Sequence, residues 1–351
     1  MKDTAKWALR SDLAIEAVGQ LVGEAEGKYP KGVKYSESVK KGVKVTTIDV
    51  EKKGEALMGK KAGRYVSLDT DALVNGDEEG MEQAVEILAG ELGRMLRHRG
   101  IAKKASCLVV GLGNEHVTPD ALGPLVVDEI AVTRHLFELA PDEVDPRYRQ
   151  VSALSPGVMG MTGIETYDVI ESVVRKTKPD FLVIVDALAS RSVTRINRMI
   201  QMTDTGISPG AGVGNRRRAV DEASLGIPVI AIGVPTVVDA ISITSDTVDM
   251  MLRHLGTALL AEDSKKSAKK GGKVQTSGNQ SFPSQEETEK YLGLFGLMGD
   301  QEKRQLISEV LTPKGYNLLV TPKEIGTEIR DLAALVSAGV NKALHPGVEF
   351  S

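Results

Sequence analysis

The chain has 351 residues, of which 41% are hydrophobic and 4% aromatic, enough to bury a sizeable aliphatic core in one large domain or two ordinary ones. A net charge of −4 and a pI near 5.9 exclude a global basic field that would gather nucleic acid, and equally an extended acidic tail. The single Cys107 excludes an internal disulfide, the amino terminus Met1-Lys2-Asp3-Thr4-Ala5-Lys6-Trp7 lacks the apolar core of a signal peptide, and no stretch approaches the roughly 18 apolar residues of a membrane span, so a soluble protein of a reducing, cytoplasmic setting is expected.

Residues 1 to about 40 are polar, with Ser11 to Val18 the only structured-looking piece, and read otherwise as loop or a loosely held arm. Val43 to Val50 begins with alternation and predicts a strand with one solvated face. Met81, Val85, Leu88, Leu92 and Met95 fall at helical spacing, with Gly100 as the stop. A buried strand follows at 106–112; Cys107 lies inside it, where a thiolate is disfavoured, which argues against a cysteine nucleophile. Pro124 marks the first turn of a helix reaching Phe137, and Ile164, Ile170, Val173 and Val174 give another that breaks before Pro179. Then come a strand at 181–186, a helix near 189–201, the glycine-rich loop 206–214, a strand at 227–232 and a helix near 236–256. Alternating βαβ units predict a doubly wound, mostly parallel sheet with helices on both faces. The lysine-, serine- and glutamine-rich stretch at about 263–289 reads as a solvated, flexible insertion. A helix over 300–311, the apolar run Leu318 to Val320 and a helix from Pro322 to about Leu344 dock back on the main sheet.

Two aspartates carry the chemistry. Ser106 to Asn114 runs into Val117-Thr118-Pro119-Asp120, and Phe181 to Val185 ends in Asp186. In open α/β sheets ligands bind beyond the carboxyl ends of the strands. If the two strands are neighbours, Asp120 and Asp186 face each other there, and two carboxylates in one cleft cannot both ionise freely. One shared proton is the arrangement with which acid proteases activate water. Asp120 also has a purely structural reading, with Thr118-Pro119-Asp120 starting a helix; Gly123-Pro124 sits awkwardly inside such a helix, so Asp120 is placed in a loop before it. Asp186 ends an apolar run and needs either solvent or a partner.

Other motifs are less specific. Gly111-Leu112-Gly113 follows a strand, but the third glycine of a dinucleotide fingerprint is replaced by His116. Arg216-Arg217-Arg218 suits phosphate or an acidic peptide, or is a solvated charge run. His116, four residues before Asp120, could join Asp186 around zinc or nickel, although no HExxH or CxxC spacing is present. A serine hydrolase would need a Gly-x-Ser-x-Gly elbow, which the sequence lacks.

Gly111-Leu112-Gly113-Asn114 with Val117 to Pro124, Pro156 to Gly160 with Thr162-Gly163, Val185 to Arg191, Asp204 to Asn215, and Ile230 to Asp239 together resemble the germination protease family of spore-forming bacteria, from about Ser11 to the carboxyl terminus. The resemblance implies an α/β/α sandwich similar to hydrogenase-maturation peptidases. It implies endoproteolysis of small acid-soluble spore proteins in the spore core, with Asp120 and Asp186 as the catalytic pair. It further implies a homotetramer, and a zymogen that removes a short amino-terminal propeptide. Arg10-Ser11-Asp12-Leu13-Ala14-Ile15-Glu16 resembles the junction, an acidic residue followed by an apolar one, so cleavage is expected at Asp12–Leu13. The expected organisation is therefore a propeptide over 1–12 and one peptidase domain over 13–351.

The expected mechanism has one ionised aspartate taking a proton from water while the other, protonated, hydrogen-bonds the scissile carbonyl. No cofactor, membrane or direct nucleic-acid contact is expected, and Arg216, Arg217 and Arg218 are candidates for substrate binding. A metal-dependent peptidase of the hydrogenase-maturation type, using His116, is the alternative; a peptide-binding module without catalysis is a further one.

Overall fold

A computed structural model of the chain describes residues 11–24, 29–210, 217–248, 250–251, 254, 298–311 and 318–349. The first ten residues of the expected propeptide with Trp7, Arg216, and the expected insertion at 263–289 lie outside the described residues. The chain divides into two compact units, Arg10–Val238 with Thr321–Ser351, and Met1–Leu9 with Asp239–Val320. In the smaller, residues 240–248 are helical, Asp300–Leu311 forms a helix that buries Ile307, and Ala240 N donates to Leu318 O at 2.9 Å beside the short strand Leu319–Val320.

The larger unit holds a mixed sheet of β1 (Val33–Lys40), β2 (Val43–Val50), β3 (Gly63–Asp69), β4 (Cys107–Gly111), β5 (Val151–Leu154), β6 (Phe181–Ser190), β7 (Met199–Thr203) and β8 (Val229–Asp239), in the order β1-β2-β3-β7-β8-β6-β4-β5. β5, β4, β6 and β8 run parallel, whereas β7, β3, β2 and β1 continue the sheet through antiparallel pairs. β4, the first half of β6 (Phe181–Val185) and the start of β8 (Val229–Ile232) are apolar runs because both of their faces are covered. On one face, Val183, Val185, Val109, Ile230 and Ile232 share a core with the helices Glu78–His98, Leu122–Asp128 and Ile325–Leu344. On the other, Leu108, Val110, Leu182 and Ile184 meet Tyr167, Ile170 and Val174 of the helix Thr166–Thr177. Farther along that second face, Ala14 and Val18 of the helix Ala14–Glu24 pack on Val33, Ile48, Val50 and Tyr65. This is the α/β sandwich expected from the alternation.

Four expectations are corrected. The arm before residue 40 contains β1, joined to β2 by Lys41 and Gly42 at φ 45° and 77°, the two positive φ values of a tight hairpin turn. The helix expected near 189–201 does not form: β6 continues to Ser190 beside β8, and Asn197 at φ 57° donates its N–H to Pro235 O at 2.8 Å. The chain then turns back as β7 between β3 and β8. Asp186 therefore lies inside a ten-residue strand, not at its end. The helix expected from 236 begins only at 240, because Thr236 to Val238 still belong to β8. The single helix expected from Pro124 to Phe137 is two, Leu122–Asp128 and Arg134–Leu139. The break is held by Asn341, whose side chain accepts from Ala131 N and donates to Glu129 O, both at 2.9 Å, while Thr133 N reaches Val151 O in β5.

Candidate active site

β4 and β6 are adjacent, with Gly111 opposite Val185, and Leu112 N extends the ladder to Val185 O at 2.8 Å. The carboxyl end of β4 is thereby fixed beside Asp186. After it, Thr118–Asp120 forms one turn of 3-10 helix and leads directly into the helix at Leu122. The glycines of this motif serve a backbone contact. A Cβ on Gly111 would lie 2.1 Å from Gly123 O, one on Gly123 2.1 Å from Leu112 O, and one on Gly113 2.0 Å from Asp120 O. Gly113 also sits at φ 118°. The likeness to a phosphate-binding turn is thus explained by the close approach of two backbone segments that seats Asp120. Thr236 Oγ1 of β8 donates to Pro119 O at 2.7 Å and ties the turn to the sheet.

Strand alternation puts Asp186 on the face that carries Leu182, Ile184 and Leu188. It is only 7% exposed. Burial, then the neighbouring Asp120 and Asp12 carboxylates, push its carboxyl well above the ordinary aspartate range, opposed by the Ala187 N–H and the charge of Arg217. Burial also raises Asp120, opposed by the Asn114 N–H and by Arg217. The pair is a like-charge couple whose deeper member favours the protonated form.

Asp186 stands opposite Gly233 in β8, and Gly233 stands opposite Gln201 in β7. Gln201 and Gly233 of this row line a cavity of about 240 Å³ together with Asp12, Lys60, Leu188 and Thr203. Ser11 to Leu13 lead beside it into the helix that starts at Ala14, and Asp12 lines it. Asp12 N donates to Ala189 O at 3.0 Å, and Ala189 N returns a bond of 3.0 Å to the Asp12 carboxylate. Leu13 is fully buried against Leu188 and Met199. Gln201 brackets the Asp12–Leu13 peptide bond, its Nε2 donating to Asp12 O at 3.2 Å and its Oε1 accepting from Ala14 N at 2.7 Å. Lys60 Nζ donates to Ser11 O at 3.0 Å and to Asp12 O at 2.9 Å. Glu16 accepts from Arg191 N at 2.8 Å and Ser192 N at 3.2 Å and faces the Arg195 guanidinium at 3.4 Å.

The remaining candidates scatter. The charge of Arg217 reaches both aspartates, whereas Arg218 stacks over the Tyr167 ring at 3.8 Å and pairs with Asp168 at 3.8 Å. The His116 side chain is 70% exposed beside Glu115, and among the described residues no group of three or more His, Cys, Asp or Glu side chains gathers that could hold a metal ion. Burial pushes the Cys107 thiol up to about 12, so it is an inert core residue. Among the described residues no helix is long and apolar enough to cross a membrane. Lys60 and Gln201 escaped sequence reading. Each is one unremarkable polar residue, and the signal that could have found Lys60 is its position just after Gly59, a left-handed helix stop at φ 59°.

The family model for germination protease matches residues 11–351. The chain is 48% identical to the germination protease of Bacillus licheniformis over 353 aligned positions, covering 99% of this chain and 96% of that one. The germination protease of Bacillus pumilus is 47% identical over 352 positions, with 98% and 95% covered, and that of Bacillus cereus 47% identical over 354 positions, with 99% and 96% covered.

Proposed function

Because this chain belongs to the germination protease family, and is a peptidase on that ground, we propose that it is an endopeptidase that starts the breakdown of small acid-soluble spore proteins when a spore germinates, that it works in the spore core, and that it is made as a zymogen cutting its own chain at Asp12–Leu13. The observation that carries this reading is the seating of Asp12 and Leu13 beside the row of Asp186, Gly233 and Gln201: Asp12 lines the cavity together with Gln201 and Gly233, its carboxylate accepts from Ala189 N, and Leu13 is buried. The chain's own junction is bound as a substrate would be.

In this reading water is activated by the Asp120 and Asp186 pair. Asp186, deeper and pushed further up, keeps the proton, and Asp120 is the ionised base. The water oxygen adds to the Asp12 carbonyl carbon as its proton passes to Asp120. The C–N bond to Leu13 then breaks, and the leaving nitrogen takes a proton from the acid partner. Arg217, whose positive charge acts on both carboxyls, favours keeping one of them ionised. Of the Arg216 to Arg218 run, Arg217 is the described candidate for substrate binding, since Arg218 is engaged with Tyr167 and Asp168, and Arg216 lies outside the described residues. Assembly as a homotetramer belongs to the same proposal.

The test is to incubate the full chain with a small acid-soluble spore protein in chelator, beside Asp120→Asn and Asp186→Asn variants, and to sequence the new amino termini. Cutting by the parent at Asp12–Leu13 and in the added protein, with none by either folded variant, is the expected result. Cutting by either variant would remove the aspartate pair, and activity lost only in chelator would establish a metal-dependent enzyme instead.

A further inference from the structure

We propose that Lys60 and Gln201 form the oxyanion-stabilising site of this peptidase, holding the oxygen of the scissile carbonyl. This rests on the reading of Asp12–Leu13 as the bond that is cut. Two side-chain donors converge on one carbonyl oxygen, Lys60 Nζ at 2.9 Å and Gln201 Nε2 at 3.2 Å from Asp12 O. Backbone carbonyls seated along a sheet edge are ordinarily met by backbone N–H groups. Here a charged ammonium and a carboxamide do the work: both meet the carbonyl that adjoins Leu13, and the ammonium is shared with Ser11 O at 3.0 Å. Gln201 holds both sides of the bond, because its Oε1 takes Ala14 N at 2.7 Å while its Nε2 holds Asp12 O. The amide thereby fixes the scissile peptide relative to its own row of the sheet, which ends in Asp186.

The donors are preorganised before any charge develops, which is the condition under which such groups accelerate acyl transfer most. Lys60 follows the left-handed Gly59, and the loop that carries it is pinned three ways. Tyr65 OH donates to Lys61 O at 2.8 Å, Ala62 N donates to Glu55 Oε1 at 2.8 Å, and Lys61 Nζ bonds Asp221. Gln201 is 5% exposed and held in a strand paired on both sides. Burial draws the Lys60 ammonium below the usual lysine range, with the Asp12 and Glu16 carboxylates opposing it. A desolvated cation gains more from a forming oxyanion than a hydrated one does.

As water adds, the π pair of the Asp12 carbonyl moves onto the oxygen that Lys60 and Gln201 hold, and the water proton goes to Asp120. When the tetrahedral centre collapses, the pair returns to re-form C=O, the C–N bond breaks with its electrons on Leu13 N, and that nitrogen takes the Asp186 proton. The aspartate acid is thereby released from polarising the carbonyl and is free to serve the leaving amine.

The experiment follows self-processing of the full chain as a first-order rate, with amide hydrogen exchange at Asp12 and Ala14 reporting whether the segment stays seated. The variants are Lys60→Met, Lys60→Arg and Gln201→Leu, with thermal unfolding checked for each. Loss of one oxyanion donor costs about 10²–10³ in rate. Lys60→Met is expected to lose that much while Asp12 N–H stays protected, Lys60→Arg to lose less, and Gln201→Leu to lose rate while unprotecting Ala14. A Lys60→Met rate within threefold of the parent overturns the proposal. So does a rate loss matched by equal loss of Asp12 protection, which would make Lys60 an anchor for the segment. A parent that does not cut at Asp12–Leu13 at all overturns the functional reading instead, and is told apart by its unchanged amino terminus.

Discussion

Asp186 and Gln201 stand in one row of the sheet, on the two strands that flank β8, with only Gly233 between them. Two strand spacings separate their backbones, roughly 10 Å, and a side chain at the middle position would occupy the space between acid and amide. That space is already limited, since a Cβ on Gly233 would lie 2.5 Å from Leu188 Cδ1. Leu188 in turn packs on Leu13. Gly233→Ala is therefore expected to displace Leu188, unseat Leu13 and slow self-processing by about 10²-fold, the usual cost of an ångström-scale misplacement of a reacting bond. Rate and thermal unfolding measured together check this. Processing at the parental rate in the folded variant would show that the row does not set the geometry.

The pH dependence of self-processing follows from the aspartate pair. Activity needs one carboxyl protonated and one ionised, so the rate is bell-shaped, with limbs that belong to the couple and not to either residue alone. Both carboxyls are raised from 3.8, Asp186 by burial and by Asp120, and Asp120 by burial. The acid limb is therefore expected above pH 3.8 and the alkaline limb higher, where Asp186 loses its proton. Rates of the full chain measured from acid to neutral pH test this, and a rate still rising at alkaline pH would contradict an acid carboxyl.

The parallel half of the fold was legible because β4 and the first residues of β6 and β8, Phe181–Val185 and Val229–Ile232, are continuous apolar runs, as strands covered on both faces tend to be. Asp120 and Asp186 could be found from it, since a charge after such a run has few bland explanations. The antiparallel half was hidden. β1 is largely exposed and charged, with a Lys-Gly turn in place of the usual Asn-Gly, and β7 is a five-residue run whose strand character comes from pairing with β3 and β8. The strand–helix alternation placed a helix near 189–201, and pairing of β7 with β3 and β8 put a strand there instead. Gln201 was lost with β7. Lys60 was lost because nothing local to it records that Ser11 and Asp12, 49 and 48 residues earlier, lie against it.

Burying Asp186 also makes stability depend on pH in a definite direction. Its folded-state pKa is raised above the ordinary value of 3.8, so the native state holds the proton over a window in which the unfolded chain has lost it. Stability is then fully present below 3.8 and declines as pH rises through the folded value, at a limiting slope of about 1.4 kcal/mol per pH unit. Asparagine does not titrate there. In an Asp120→Asn background, which keeps the chain uncut, adding Asp186→Asn is expected to leave stability unchanged near pH 3.8 and to raise it increasingly toward neutral pH. Denaturant unfolding at a series of pH values gives the difference directly, and a gap that narrows as pH rises would reverse the sign argued for Asp186.

Glu16 offers the sharpest test of how the junction is read. Its carboxylate accepts from the N–H groups of Arg191 and Ser192 at 2.8 and 3.2 Å and faces Arg195 at 3.4 Å, and its side chain is only 6% exposed. With the Ser11 hydroxyl, four donors converge on one carboxylate four residues beyond Asp12, which makes acidity at that position a requirement of the site and not an accident of the sequence. Glu16→Gln keeps the shape, removes the charge and turns an amide NH₂ toward N–H donors. Hydrogen bonds to a charged group are worth roughly 1.5–3 kcal/mol, so the self-processing rate is expected to fall by about 10- to 100-fold. Arg195→Met should cost less, because the two backbone donors and the Ser11 hydroxyl remain. A Glu16→Gln chain processed within threefold of the parent would mean that the junction is selected by Asp12 and Leu13 alone.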